Sequence, residues 1–312
     1  MDLIFLGTPT FAVPTLEKIL DAGHTVHTVI TQPDRPKGRG QTVAASPVKE
    51  AALRRGLPVF QPERIRRPEV LDQLKTFKTD AMVVVGYGQI IPQSIIDLPR
   101  HGIINVHGSL LPKYRGAAPV QWAVANGETV TGVTTMRIDT GLDTGDMLLR
   151  AETPIGPEET AVELGNRLAV LGADILVETL VRIENITPEK QDTSQATYAP
   201  ILKKEDGKID WTMPAAAIHN RVRGLLPWPG VYTSFRTQSL HIWKSRWDSL
   251  ITCPDNAPGT LFRVADSLYT VCGDRSALEL LELQLEGKKR IAGRDFANGQ
   301  RLKENEKFGE VS

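Results

Sequence analysis

Alternation is the feature of this chain that most constrains its fold. Through the first half, short apolar runs ending at glycine or a turn alternate with stretches whose apolar residues recur at helical spacing. That is the signature of a mostly parallel α/β sheet. Leu3–Leu6 ends at Gly7, and Val13, Leu16, Ile19 and Leu20 then mark a helix that stops near Gly23. Val26–Ile30, the short Val59–Phe60, Ala81–Val85, Ile103–Val106 and Val133–Ile138 read as further strands. Val48–Arg55, Pro68–Phe77, Ala117–Ala125 and Glu159–Ile183 read as helices. From Thr187 to Gly207 the chain is polar and holds no periodic apolar pattern. Beyond it the character changes: a short helix, Ala215–Arg223, precedes an LLPWPG turn and five closely spaced strands. These are Val231–Phe235, Leu240–Trp247, Thr260–Val264, Leu268–Val271 and Leu278–Gln284. The expected organisation is an α/β domain over 1–189, a linker over 190–207 and a small OB-like antiparallel barrel over 208–312. The last ten residues are polar and are expected to fray.

Composition narrows the classes of protein. A chain of 312 residues can bury about three quarters of its unfolded surface, so no metal or disulfide is needed to hold it. Cys253 and Cys272 cannot build a disulfide framework, and neither sits in a CxxC pair. No uncharged apolar run approaches the ~18 residues of a membrane span. The start, MDLIFLGTPTF, lacks the basic region and cleavage site of a secretory peptide. The expectation is a cytoplasmic protein with no membrane partner. Net charge is zero, with 37 basic and 37 acidic residues. Residues 1–206 hold 22 basic and 25 acidic side chains against 15 and 12 in the remainder, an offset too small to argue a nucleic-acid partner.

Several motifs fail on inspection. GTPTF follows the first strand where a dinucleotide fingerprint would sit, but it carries only Gly7. A pyrophosphate needs the later glycines for close backbone approach, so a nicotinamide enzyme is disfavoured. His24 and His27 lack the neighbours of a metal cage. The two DTG triplets of Asp139–Gly145 start four residues apart on one loop. They cannot come from the separate lobes that an aspartic-protease dyad requires, and they read as a tight turn.

NVHGSLLPKYRGAAP is richer. Asn105 and His107 share one face of a strand otherwise apolar, at the carboxyl end where open α/β sheets bind ligands. An amide donor beside an imidazole suits a reaction that develops an oxyanion. The same spacing also suits two strand-end residues that merely satisfy nearby backbone groups.

NVHGSLLPKYRGAAP, followed by GLDTGDML, resembles the formyltetrahydrofolate-dependent formyltransferases. GTPTF and the QPDRPKGRG loop narrow the likeness to the branch acting on methionyl-tRNA, and IDW, PWPG, APGT and GKK extend it into the second half. The resemblance implies a Rossmann-like formyltransferase domain followed by a C-terminal barrel that binds tRNA. It implies 10-formyltetrahydrofolate as co-substrate, initiator methionyl-tRNA as acceptor and no metal. It maps catalytic roles onto Asn105, His107 and Asp143, and the folate segment onto Ser109, Leu110, Leu111 and Pro112. Arg39, in GRG, matches the family's loop arginine at the tRNA acceptor end, and Arg35 and Lys37 of the same basic loop are expected to assist it. A monomer is expected. Two other readings stay open at this point: a formyltransferase acting on a sugar-nucleotide amine or glycinamide ribonucleotide, and a non-catalytic RNA-binding module.

Overall fold

The alternating runs become a seven-stranded sheet in the computed structural model, which describes residues 1–37 and 42–309. Its strands are β1 (Asp2–Gly7), β2 (Thr25–Ile30), β5 (Val59–Phe60), β6 (Ala81–Val85), β7 (Ile103–His107), β8 (Val130–Arg137) and β9 (Met147–Pro154). Between β2 and β5 lie β3 (Arg35–Lys37) and β4 (Thr42–Ala44), which pair as a separate antiparallel hairpin. The sheet order is β5-β2-β1-β6-β7-β8-β9, parallel from β5 to β7 and antiparallel beyond. The direction of winding reverses between β1 and β6, so their carboxyl ends border the switch point where such sheets open a crevice, and β7 lies next to β6.

The chain divides into two compact units. The first comprises residues 1–119, 130–154 and 165–200. Its central strands are buried on both faces: Leu3, Ile4, Phe5 and Leu6 of β1 and Met82 and Val83 of β6 have no exposed surface. That is why they read as unbroken apolar runs rather than alternating ones. Helices α1 (Val13–Asp21), α2 (Pro47–Arg54), α3 (Pro68–Lys75) and α4 (Gln93–Ile96) fill the crossovers. Proline starts α1, α2 and α3 within their first two positions, where its missing N–H costs nothing. Two further helices, α5 (Pro119–Ala125) and the long α6 (Ala161–Arg182), are divided between the units: all of α5 but Pro119 and the first turn of α6 belong to the second. In α6, Gly172 faces Val106 and Val133, where a Cβ would come within 2.7 Å of the Val106 side chain. Thr179 of the same helix is hydrogen-bonded to Thr135 at 2.8 Å.

The second unit comprises residues 120–129, 155–164 and 201–312. After α7 (Ala215–Gly224) come β10 (Val231–Phe235), β11 (Gln238–Trp247), β12 (Leu261–Val264), β13 (Ser267–Val271), β14 (Ala277–Leu285) and β15 (Ile291–Ala292), then α8 (Gly293–Gly299). They form one antiparallel sheet in the order β10-β11-β14-β13-β12, with β15 on β14. The fold is thus mixed α/β, with a mostly parallel Rossmann-like sheet and a C-terminal antiparallel one.

The chain end departs from the fraying expected of it over Lys303–Gly309. Leu261 N donates to Glu306 O, Phe308 N to Gly259 O and Gly309 N to Ser234 O, so the tail bridges the β10 and β12 sides of the sheet. Phe308 supplies the reason, since it is buried and stacks on Trp211 at 5.4 Å between centroids. One aromatic residue in a polar tail outweighs the composition around it.

Candidate active site

β7 carries Asn105 and His107 to the carboxyl end of the first sheet, flanked by β6 and β8. Both are buried, at 8% and 5% exposure. Buried polar groups need partners, and Asp143 stands between them. Asn105 Nδ2 lies 3.5 Å from Asp143 Oδ1, and His107 Nδ1 lies 3.7 Å from Asp143 Oδ2. The other imidazole nitrogen, Nε2, is 2.9 Å from the carbonyl oxygen of Tyr114. A carbonyl only accepts, so Nε2 carries a proton. Nδ1 therefore donates only when the ring holds both protons. The contacts of Asn105 and His107 with the carboxylate are longer than firm hydrogen bonds, which leaves both groups weakly satisfied beside Asp143.

Asp143 is held at its carboxylate and at its backbone. Gly116 N donates to its Oδ2 at 2.8 Å. Gln191 Nε2 donates to the carbonyls of Asp143 and Gly145, both at 2.8 Å, fixing the loop from below. Gln191 Oε1 in turn accepts from Arg115 Nε and Nη2 at 3.0 and 2.8 Å. Asp143 itself has φ +52, a left-handed backbone that aspartate tolerates better than most residues. Gly116 has φ +121, and a Cβ there would lie 2.6 Å from the Ala199 carbonyl oxygen. The glycine of YRGAAP is thus required by a close backbone approach.

The SLLP turn leans on β8. Thr134 Oγ1 donates to Ser109 O at 2.7 Å and accepts from Leu111 N at 3.1 Å. Ser109 Oγ donates to Lys113 O at 2.6 Å. Leu111 packs with Met136 and Met147. Ser109 and Leu111 are buried and shape the turn, whereas Leu110 and Pro112 keep exposed surface.

The structure brings Asn105, His107 and Asp143 together with the SLLP turn of Ser109–Pro112. The basic loop is a hairpin: Arg35 lies on β3, exposed and paired with Glu63 at 3.1 Å, and Lys37 ends that strand. Arg39 lies outside the described residues. At the hairpin base, Asp34 pairs with Lys49 and accepts from Gln61, which holds its carboxyl below the usual range. Sequence reasoning missed Gln191, which falls in the polar segment read as a linker. No pattern marks it, because its partners come from residues 115 and 143–145, far away in the chain. Among the described residues, no group of three or more His, Cys, Asp or Glu side chains has the arrangement of a metal site.

Residues 1–180 match the family model described as formyl transferase, and residues 201–301 match the formyl transferase C-terminal domain. The chain belongs to the formyl transferase family. This formyl transferase is 66% identical over 312 residues to a methionyl-tRNA formyltransferase of Solibacter usitatus, covering 99% of each chain. It is 56% identical to one of Koribacter versatilis, covering 100% of both. Among solved structures it resembles WlaRD, a sugar 3N-formyl transferase in the presence of dTDP and 5-N-formyl-THF. The TM-score is 0.69 and the identity 20%, over 93% of this chain and 99% of that one, a likeness of fold.

Proposed function

We propose that this formyl transferase moves the formyl group of 10-formyltetrahydrofolate to the α-amine of methionine on initiator methionyl-tRNA. The observation that carries the reading is end-to-end identity of 48–66% with relatives named methionyl-tRNA formyltransferase. The geometry adds a reason in chemistry. An α-amine titrates near about 7.7–8.0, so free base is present near neutral pH without a strong activating base. The amine nitrogen attacks the formyl carbon, and the carbonyl oxygen gains charge. Asn105 Nδ2 and the doubly protonated His107 ring donate to that oxygen. Asp143 orients the ring and accepts the proton leaving the amine, directly or through water. Collapse of the tetrahedral intermediate breaks the bond to folate N10, which takes up a proton and departs as tetrahydrofolate. No side-chain nucleophile is required.

The exposed surfaces of Leu110 and Pro112 contact the folate, with Ser109 and Leu111 holding the turn beneath. Arg35, Lys37 and Arg39 of the basic loop contact the tRNA acceptor end. Catalysis belongs to the first unit, which keeps the polar segment as far as residue 200, and tRNA recognition to the second. The enzyme works in the cytoplasm as a monomer. No helix among the described residues is long and apolar enough to cross a membrane.

The test is direct. The purified chain is incubated with methionyl-tRNA and 10-formyltetrahydrofolate, and formylmethionine is measured after deacylation. A dTDP-amino sugar serves as the competing acceptor. Formylation of the sugar and not of the tRNA would transfer the assignment to the other branch.

A further inference from the structure

Tyr232, His241 and Trp243 stand on the outward face of the C-terminal sheet. Register places Tyr232 of β10 opposite His241 of β11, and His241 opposite Gln284 of β14. The rings follow one another as a column. Tyr232 and His241 have centroids 5.8 Å apart, and His241 and Trp243 are 5.6 Å apart with 18° between their planes. The guanidinium carbon of Arg290 then lies 3.7 Å over the Trp243 ring. Gln284 fixes this end. It accepts from Trp243 Nε1 at 2.8 Å and donates to Lys288 O at 2.7 Å, tying the turn that carries Arg290 to the indole.

The surroundings are basic. Lys204, Lys208, Lys288, Lys289 and Arg290 are exposed near the column, with Glu286 as the acidic neighbour. Among the described residues none of these cations is in an ion pair. His241 Nδ1 is buried without a hydrogen-bond partner, and Trp228 is 55% exposed two residues before Gly230, which abuts the column.

Cross-strand ring pairs stabilise a sheet, and that accounts for Tyr232 against His241. It accounts neither for an exposed arginine held over an indole nor for unpaired positive charge around it. A π column that ends in a planar cation, ringed by lysines, is complementary to a polyanion carrying flat rings. We propose that the Trp243–Arg290 end of the column stacks an unpaired nucleotide of the RNA substrate, with Lys288 and Lys289 on the flanking phosphates. This inference rests on the methionyl-tRNA reading above.

Steady-state formylation of methionyl-tRNA by the full chain tests it, across a range of salt. Trp243→Leu and Arg290→Ala should raise KM for the tRNA about 5- to 100-fold, the range for losing one base stack. Turnover and KM for 10-formyltetrahydrofolate should stay near wild type. Trp243→Phe should restore most of the affinity. Arg290→Lys should resemble Arg290→Ala, since an ammonium has charge but no plane. The slope of log KM against log salt should hold in these variants and fall by about one in Lys288→Ala or Lys289→Ala. A wild-type KM in Arg290→Ala, or in Arg290→Lys, overturns the stacking role; the second outcome makes Arg290 a phosphate contact. If Trp243→Leu does not fold, the exposed Arg290 pair decides alone. Wild-type protein that fails to formylate the tRNA at all brings down the functional reading and this inference with it. An active wild type with unmoved KM in the variants brings down only the column.

Discussion

Asn105 and His107 share one carboxylate at distances slightly too long for firm hydrogen bonds, and in the proposed mechanism both turn to the incoming oxygen. Asn105→Ala and His107→Ala should each lower turnover by about 10²–10⁴-fold, the usual cost of one oxyanion donor or one general acid. Their thermal unfolding midpoints should stay within a few degrees of wild type. Activity within a few-fold of wild type in either variant removes that residue from the mechanism. Asp143→Asn keeps the shape and can still accept from Gly116 N, so a large loss of turnover there isolates the contribution of the charge. Gly116→Ala is a different experiment. A methyl group at φ +121, 2.6 Å from the Ala199 carbonyl, must displace backbone that positions Asp143. A stability loss of about 1–3 kcal/mol is expected, measured by urea unfolding, together with loss of activity. Sequence pattern alone reached the Asn105–His107 pair through strand alternation, because both lie on one element. The resemblance was needed for Asp143, since no periodicity links a strand residue to a loop residue far along the chain.

At the scale of elements, the polar segment after α6 is tied to the site. Gln191 satisfies both ends of its amide, taking two N–H groups from buried Arg115 and donating to two carbonyls of the Asp143 loop. Gln191→Leu leaves those carbonyls and the guanidinium without their partner. Turnover should fall at least tenfold while tRNA KM changes little. Gln191→Glu keeps the acceptor for Arg115 and loses the donors, so its turnover separates the two halves of the bridge. Equal, near-wild-type turnover in both variants would show that the loop holds its shape unaided. The strands buried on both faces were legible as apolar runs. β9 was not, because it is an edge strand whose alternate residues are exposed and it follows directly on a turn-rich motif. The pairing of β3 with β4 was hidden because RPK and TVA, at three residues each, are too short to show a period.

For the molecule as a whole, burial pushes His24, His219 and His241 below their ordinary 6.5. In each case the unfolded chain binds the proton more readily than the folded one, so stability rises with pH through this range. The contribution is intact above about 6.5 and is lost progressively as the pH falls below it. Urea unfolding between about pH 7.5 and pH 5 should show this decline, and His219→Gln should flatten part of it. An unchanged slope in that variant would remove His219 from the effect. The composition of the second unit has a different consequence. Residues 120–129 and 155–164 belong to it, and α7 depends on both stretches. Gly224 lies so near Ala125 that a Cβ would come within 2.5 Å of its backbone nitrogen, and buried Arg223 donates to Gly156 O and Glu159 O. A gene cut at the polar segment therefore does not yield two exchangeable cassettes. The piece 208–312 made alone keeps Asn220 as an acceptor for Arg223 but lacks the two carbonyls that take its Nη1, a loss of about 2 kcal/mol or more, and should be recovered as aggregate. Supplying 1–207 as a second polypeptide in the same cell should return it to the soluble fraction. Grafting this C-terminal half onto another catalytic domain should succeed only when both stretches travel with it, so recombination between relatives is constrained at three places along the gene rather than one.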